Sequence, residues 1–449
     1  MKLRDTVRSL AWAATALAVR AVPAAAQQPA PPPVRPLGAI TALASESLSS
    51  VAAAVAVAGG RVYVNDISAR RLLLFDPGLT RATVVADSTG SPEAYGASPG
   101  TLLPFRGDSA LFISPSTLSM LVLSPEGGVA RVMATPPSGR TGPLGLIGNI
   151  FGTPGFDARG RLAYFQPVMM IMQGTTPTSG TLNLQPPDSA LVVRFDFASR
   201  TLDTVGAIRI PRTRTTMSRD DSGRPTGITV SAIPAATVDD WAVTSDGAIA
   251  ILRGRDYHVD WLAPAGGWTS TPRMAFAWER LDDDLKNRLL DSTVAAVQVL
   301  MDSTFARQQR ALAAGGPPGR DAPTAGGGMT VIVGSRSDGA GPGGDRSPVT
   351  RISIPRPTVA RAELADVPDY RPPFGQGAVR ADAEGRLWVR TSARANGQPV
   401  YDIVSREGAV VDRVQLPPFR SIAGFGPGVV YLGVRDSTGT THLESARVR

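Results

Sequence analysis

The residues of this chain that could do chemistry are polar side chains near the ends of predicted β-strands. Carboxylate and amide side chains occur at five such positions, Asn65, Asp66, Asn149, Asp239 and Asp240. Arginines lie beside aromatic residues at two further places, where Arg253 and Arg255 precede Tyr257 and where Arg371 precedes Phe374. An arginine over an aromatic ring suits a glycan, an anionic ligand or a peptide. From these two groups the binding residues that we predict are Asn65, Asp66, Asp240, Arg253, Tyr257 and Arg371.

Several classes of reaction have no motif in this sequence. The chain has no cysteine and only two histidines, His258 and His442, so thiolate metal sites, cysteine nucleophiles and histidine-rich metal cages are excluded. It contains neither a phosphate-binding loop nor a dinucleotide fingerprint nor a GxSxG elbow. The catalytic residues are therefore left open. The structural alternative is that each carboxylate caps a turn or pairs with an arginine, and that the aromatic residues pack at sheet edges.

The N-terminus has the pattern of a secretory signal. Lys2, Arg4 and Arg8 precede a ten-residue apolar stretch, Leu10 to Val19, and small residues at 24–26 precede Gln27. Ten residues are too few to cross a bilayer as a helix, so we predict a cleaved signal peptide over 1–26 and no transmembrane anchor. A Pro-rich tether is predicted over 27–36. The predicted location is periplasmic or extracellular.

Two strand signals alternate along the chain. In the first, a turn with Asp and Gly precedes an apolar run, as in Asp246 to Ile251 and Asp382 to Val389. In the second, a strand ends in its own turn and another strand follows, as in Leu72 to Gly78. Together they predict a four-stranded antiparallel meander of about 40 residues, which is the unit of a β-propeller.

The repeat predicts an all-β fold, a six-bladed β-propeller over residues 37–449. One meander cannot bury both of its faces, so the units must pack side by side in a ring. Residues 37–43 are expected to supply the strand that the short last unit lacks. The six units are expected at residues 50–88, 98–136, 147–211, 237–276, 374–417 and 418–449.

Two insertions interrupt the period. Residues 172–188 are predicted to be a polar loop in the third unit. Residues 277–358, between the fourth and fifth blades, combine a predicted helix over 278–312 with a Gly/Pro-rich linker over 315–348. The helix is expected to be either a lid packed on the propeller rim or a helix that binds a partner or a membrane surface.

The first unit resembles an NHL-type blade. Val62 to Asp66, followed by Arg70 to Asp76, matches its pattern of an apolar strand ending in Asp, a loop with Arg and a second strand. The chain also resembles exported six-bladed propeller proteins of bacteria, on Trp241 to Val243, on Asp256 to Trp261 before the helical insertion, and on 371–374 with 382–388. This resemblance implies the fold, because propellers host binding, scaffolding and catalysis alike.

Two functions remain open at this stage. The first is a binding or scaffold propeller that contacts a protein, peptide or glycan partner on one face, without a cofactor. The alternative, implied by the resemblance to gluconolactonase-related propellers, is a calcium-dependent hydrolase at the central channel. The formal net charge is +8 and the arginines are scattered, so no nucleic-acid partner is predicted. We expect a monomer.

Overall fold

The chain is mostly β, as predicted, with one α-helix among the described residues. The computed structural model describes residues 31–88, 94–96, 99–106, 108–114, 117–136, 151–166, 180–184, 187–223, 225–313 and 357–448. The predicted signal peptide, the linker over 315–348 and Asn149 lie outside these residues.

Four-stranded meander sheets follow one another along the chain. Two short strands come first, β1 (Val34–Pro36) and β2 (Ile40–Leu43). Sheet 1 contains β3 (Ala53–Ala56), β4 (Val62–Asp66), β5 (Arg71–Phe75) and β6 (Ala82–Ala86). Sheet 2 contains β7 (Thr101–Phe105), β8 (Ser109–Ser114), β9 (Ser119–Leu123) and β10 (Val129–Ala134). Sheet 3 contains β11 (Gly155–Phe156), β12 (Leu162–Gln166), β14 (Ser189–Asp196) and β15 (Thr201–Arg209), with β13 (Gly180–Leu184) inserted between β12 and β14.

The second half of the chain continues the series after a hairpin of β16 (Thr213–Arg219) and β17 (Pro225–Ala232). Sheet 4 contains β18 (Asp240–Val243), β19 (Ile249–Arg253), β20 (His258–Leu262) and β21 (Trp268–Ser270). The helix α1 (Asp283–Ala313) and β22 (Thr358–Val359) come next. Sheet 5 contains β23 (Phe374–Ala381), β24 (Leu387–Ala395), β25 (Gln398–Val404) and β26 (Val410–Gln415). Sheet 6 contains β27 (Arg420–Gly426), β28 (Val429–Arg435), β29 (Thr441–Arg447) and β2.

Aspartates close the turns between strands, as the sequence predicts. The Asp157 carboxylate accepts hydrogen bonds from the backbone N–H groups of Arg159 (3.0 Å) and Arg161 (2.9 Å). Asp382 accepts the equivalent pair from Glu384 (3.1 Å) and Arg386 (2.8 Å). These bonds satisfy turn amides that have no partner in the sheet, and so they define where each strand ends.

Buried clusters join each sheet to the next. Sheet 6 packs on sheet 1 through Tyr431 and Leu443 against Val64 and Phe75. Sheets 5 and 6 share a cluster around Trp388. The other neighbouring pairs share clusters of the same kind, 1 with 2, 2 with 3, 3 with 4 and 4 with 5. The series of packed sheets therefore returns to its start, and it buries faces that a lone sheet would expose to water.

The N-terminal strands join two different sheets. β2 pairs antiparallel with β29, with Ile40 opposite Ala446, so residues 37–43 supply the strand that sheet 6 lacks. β1 pairs in parallel with β26, as a fifth strand of sheet 5. Arg35 of β1 forms an ion pair with Asp412. The last three residues of the tether predicted over 27–36 form this strand.

A seventh sheet and the helix form a separate layer, which we call the cap. Its sheet has the order β13-β16-β17-β22, and α1 contacts β17 and β22. Leu281, Leu290, Ala362 and Val367 form its buried core. The helix is Asp283–Ala313, so residues 278–282 of the helix predicted over 278–312 are not helical, and residues 180–184 of the predicted polar loop are a strand of the cap. The β16–β17 hairpin was not predicted.

Candidate binding face

The two ends of the meander sheets are built differently. At one end, which we call the turn end, the strands are joined by short turns, the longest of which spans residues 76–81. Gly247 shows how tightly these turns pack. Its φ is +82°, and a Cβ there would lie 2.2 Å from the backbone nitrogen of Ala158 in the neighbouring turn. The turn end of sheets 3 and 4 is therefore closely packed at this contact.

All parts of the cap leave from the opposite end, which we call the cap end. In an antiparallel meander, the connection between the second and third strands and the exit of the fourth strand lie at the same end. β13 lies in the connection between the second and third strands of sheet 3, and the β16–β17 hairpin follows the end of its fourth strand. The bridge between Thr153 and Ala242 is parallel, so the first strands of sheets 3 and 4 run in the same direction. The exit of sheet 4, which leads to α1, therefore lies at this end too.

An exposed aromatic pair lies where the cap joins sheets 4 and 5. Residues 279–281 run antiparallel to 369–371, with Arg280 opposite Tyr370. The Leu281 amide donates to the Asp369 carbonyl (2.8 Å), and the Arg371 amide donates to the Glu279 carbonyl (2.9 Å). Because side chains alternate along paired extended segments, Trp278, Arg280 and Tyr370 share one side. We call these three residues the platform.

The platform is exposed and held from beneath. Trp278 is 42% exposed and Tyr370 is 50% exposed. The Trp278 ring packs edge-on against Phe276 at 5.7 Å, and Phe276 packs in the same way against the buried Tyr257 at 5.7 Å. This chain of rings fixes the indole in place, so little side-chain entropy is lost when a ligand stacks on it.

The carboxylates of Asp369 and Glu279, beside the platform, are both paired with basic side chains. The pKa of the Asp369 carboxyl is lowered, mainly by its hydrogen bond to the buried Lys286 (2.7 Å) and also by the charge of Arg280. On the other side of the paired segments, Arg371 donates to Glu279 at 2.5 Å. Arg280, opposite Tyr370, is exposed. The platform therefore offers two ring faces and a guanidinium to a ligand.

Asn65 and Asp66 of the predicted binding set are buried. The Asn65 amide donates to the Gly100 carbonyl (2.8 Å) and accepts from the Tyr95 hydroxyl (2.6 Å). The Asp66 carboxylate accepts from the backbone N–H of Ser49 and of Ser50 and pairs with Arg71 at 3.0 Å. Both side chains hold loops of sheet 1, and their ligand-binding role stays a prediction.

Asp240 is a fully buried carboxylate between sheets 4 and 5. It accepts from the backbone N–H of Val379 (2.8 Å) and of Trp241 (2.9 Å). Burial raises its pKa to about 6, although these hydrogen bonds and the nearby charge of Arg380 oppose the rise. Asp240 therefore links the first strands of two neighbouring sheets.

This raised pKa predicts a pH-dependent stability. Asp240 binds a proton more tightly in the folded chain than in the unfolded chain, so its contribution falls as pH rises from about 4 to about 6. We expect Asp240→Asn, which has no ionised form, to cost more at pH 4 than at pH 7, by on the order of 2 kcal/mol. Urea unfolding of both proteins at the two pH values measures this difference. An equal cost at both values, or a larger cost at pH 7, would contradict the assignment.

Tyr257 is also buried, and it belongs to a polar network between sheets 4 and 5. Its hydroxyl donates to Asp402 at 2.8 Å, and Arg413 donates to the same carboxylate at 3.0 Å. Burial raises the pKa of the Tyr257 phenol well above its usual range and also raises the pKa of Asp402. Of the predicted set, Tyr257 alone lies in the chain of rings beneath the platform.

The two predicted arginines are half-buried and paired. Arg253 bonds to Asp260 (2.7 Å) and Asp239 (2.9 Å), and it also donates to the Ala207 carbonyl of sheet 3. Arg371 pairs with Glu279 beside the platform. The structure thus brings Tyr257 and Arg371 to the same junction and leaves the other four predicted residues in separate networks.

No metal site follows from the described part of the chain, where no group of three or more His, Asp or Glu side chains is placed to hold an ion. Among the same residues no helix is long and apolar enough to cross a membrane.

Comparison with known proteins gives distant structural neighbours. No protein-family model and no curated protein matches the sequence. A putative exported protein from Bacteroides fragilis is 8% identical and has a TM-score of 0.40, over 92% of this chain and 95% of its own. Regucalcin from Agrobacterium tumefaciens, described as calcium-binding, is 11% identical with a TM-score of 0.37, over 93% and 97%. Virginiamycin B lyase from Staphylococcus aureus is 9% identical with a TM-score of 0.35, over 90% and 99%. At these identities and TM-scores the neighbours carry no argument about this chain, so its fold is described from its own sheets.

Proposed function

We propose that this chain is an exported six-bladed β-propeller that binds a glycan, peptide or protein partner on its cap end. Each of the six meander sheets is a blade, and the shared clusters close them into one ring. The last blade takes its outer strand from the N-terminal segment, which locks the ring without a disulfide. The sequence pattern of residues 1–26 supports export.

The observation that carries the binding role is the convergence of three separate insertions on one end of the ring. The insertions come from within sheet 3, from between sheets 3 and 4, and from between sheets 4 and 5, yet they build one sheet and one helix. The turn end has no comparable addition in the described residues. Binding residues concentrate on loops held by a rigid scaffold, so the elaborated end is the binding face.

The platform defines the chemistry of the partner. Two exposed rings favour stacking against a sugar ring, a peptide side chain or a proline, and Arg280 favours a carboxylate or phosphate beside the stacked group. The favoured ligand is therefore an anionic glycan or an acidic peptide of the cell envelope.

An array of bacterial envelope glycans and acidic peptides tests this proposal. The Trp278→Ala/Tyr370→Ala double variant should bind the selected ligands at least tenfold more weakly than the unchanged protein, because both stacking surfaces are removed. Arg280→Ala should weaken anionic ligands selectively. Arg81→Ala removes an exposed arginine at the turn end of sheet 1 and is the matched control, with binding unchanged. Binding that survives both platform changes would contradict the proposal.

A further inference from the structure

A cavity of about 250 Å³ lies at the turn end, between sheets 3 and 4. Its walls are the turn over 157–161, Arg194 of β14, Gly247, and the segment 262–268. Trp268, at the rim, is 46% exposed. The cavity lies at the end of the sheets opposite to the platform, and nothing in the proposed partner binding involves it.

Three arginines line this cavity, and they are unequally paired. Arg161 makes a close ion pair with Asp157 (2.7 Å), whose carboxylate also holds two backbone amides of its turn. Arg194 lies 3.9 Å from Asp157 and 3.7 Å from Asp203, which is beyond hydrogen-bond distance. The Nε of Arg194 is buried and has no hydrogen-bond partner among the described residues.

The charges of the side chains that line the cavity favour an anion. Arg159 is exposed, and among the described residues no carboxylate forms an ion pair with its guanidinium. Among the residues that line the cavity, three guanidinium groups thus face one carboxylate, Asp157, which its own turn already uses. Two further carboxylates lie outside the lining: Asp203, which is 50% exposed, and Asp196, which lies near Arg161. A buried donor without a partner is costly, and an oxyanion bound by Arg194 would satisfy it with a charge-assisted bond.

We propose that this cavity binds a small organic anion, a ring-bearing carboxylate or phosphate of about the size of one sugar. A volume of about 250 Å³ lies just below the usual range for small-molecule sites and is larger than a bare phosphate needs. Arg194 and Arg159 bind the anionic group, and the exposed indole of Trp268 offers a face for the ring of the ligand.

Calorimetric titration with glucuronate, glucose 6-phosphate and neutral glucose tests the proposal. At least one of the two anions should bind, and glucose should not. Arg194→Gln should weaken binding at least tenfold. Arg159→Gln should weaken it severalfold, and it removes an exposed side chain without an ion pair, so the test stands even if Arg194→Gln fails to fold. Which anion binds distinguishes a carboxylate site from a phosphate site.

The control is Arg131→Gln, which changes an exposed arginine of sheet 2 and should leave anion binding unchanged. The proposal is overturned if neither anion binds, if glucose binds as well as the anions, or if both cavity variants bind like the unchanged protein. The platform variants should have no effect here, so failure of this inference and failure of the cap-end proposal are separate results.

Discussion

Asp402→Ala is expected to lower the free energy of unfolding by about 3–5 kcal/mol. Asp402 is 2% exposed, and it receives hydrogen bonds from Tyr257 of sheet 4 and from Arg413 of its own sheet. Its removal leaves the guanidinium and the phenol without their acceptor in an apolar interface. Urea unfolding at neutral pH, followed by circular dichroism, measures the loss.

The matched control for this change is Asp188→Ala. Asp188 also pairs with an arginine, Arg212 at 2.6 Å, but both side chains are largely exposed. Water replaces the lost contact there, so unfolding should be nearly unchanged. If the two variants cost the same, the buried network does not hold sheets 4 and 5 together as described.

Deleting residues 31–43 should lower the free energy of unfolding by on the order of 3 kcal/mol, because it removes β1 and β2 together. Without β2, the edge of β29 loses the strand that faces Ala446, Ser445 and Glu444. It also loses the flanking backbone bond from the Arg447 amide to the Ala39 carbonyl (3.1 Å). Sheet 6 would keep three strands and an open edge, which also favours self-association.

Deleting only residues 31–36 separates the role of β2 from that of β1. β1 lies outside a sheet that already has four strands, so its loss costs three paired residues and the partly buried ion pair of Arg35 with Asp412. The expected loss is well under half of that for 31–43. Thermal and urea unfolding of both deletion variants measure the two losses of stability and show which is larger. Equal losses would mean that β2 does not close the last sheet.

The strand repeat could be predicted because each turn is encoded locally. Asp157 and Asp382 bond to amides two and four residues ahead, and glycines such as Gly247 take the positive φ that these turns need. Alternating apolar residues then mark the strands. The N-terminal strand β2 followed from counting, since the last unit lacked one.

The cap and the platform could not be predicted in the same way. β16 and β17 are rich in threonine and serine and have a weak apolar alternation, although their β-branched residues are a strand signal. The platform joins Arg280 to Tyr370 across an insertion, and no local pattern places such residues side by side. The one signal that the sequence offered was the spacing of Trp278 and Arg280, because residues two positions apart on an extended segment share one side.

Burial explains why most of the predicted binding residues lie in structural networks. Asn65 and Asp66 end a strand and Asp240 begins one, and an oxygen ligand for a cation would also lie at such positions. In the fold these ends meet neighbouring loops, and the side chains bond to backbone amides and carbonyls there. The sequence shows that a polar residue ends a strand, but only the packing of the next sheet decides whether solvent or protein faces it.

Hydrogen–deuterium exchange with and without an array-selected ligand tests most directly whether the cap end is the binding face. Bound ligand should slow amide exchange in residues 276–282 and 368–372, which surround the platform. The turns over 157–161 and 263–267 should exchange as before. Slowed exchange confined to those turns, with the platform segments unchanged, would contradict the account.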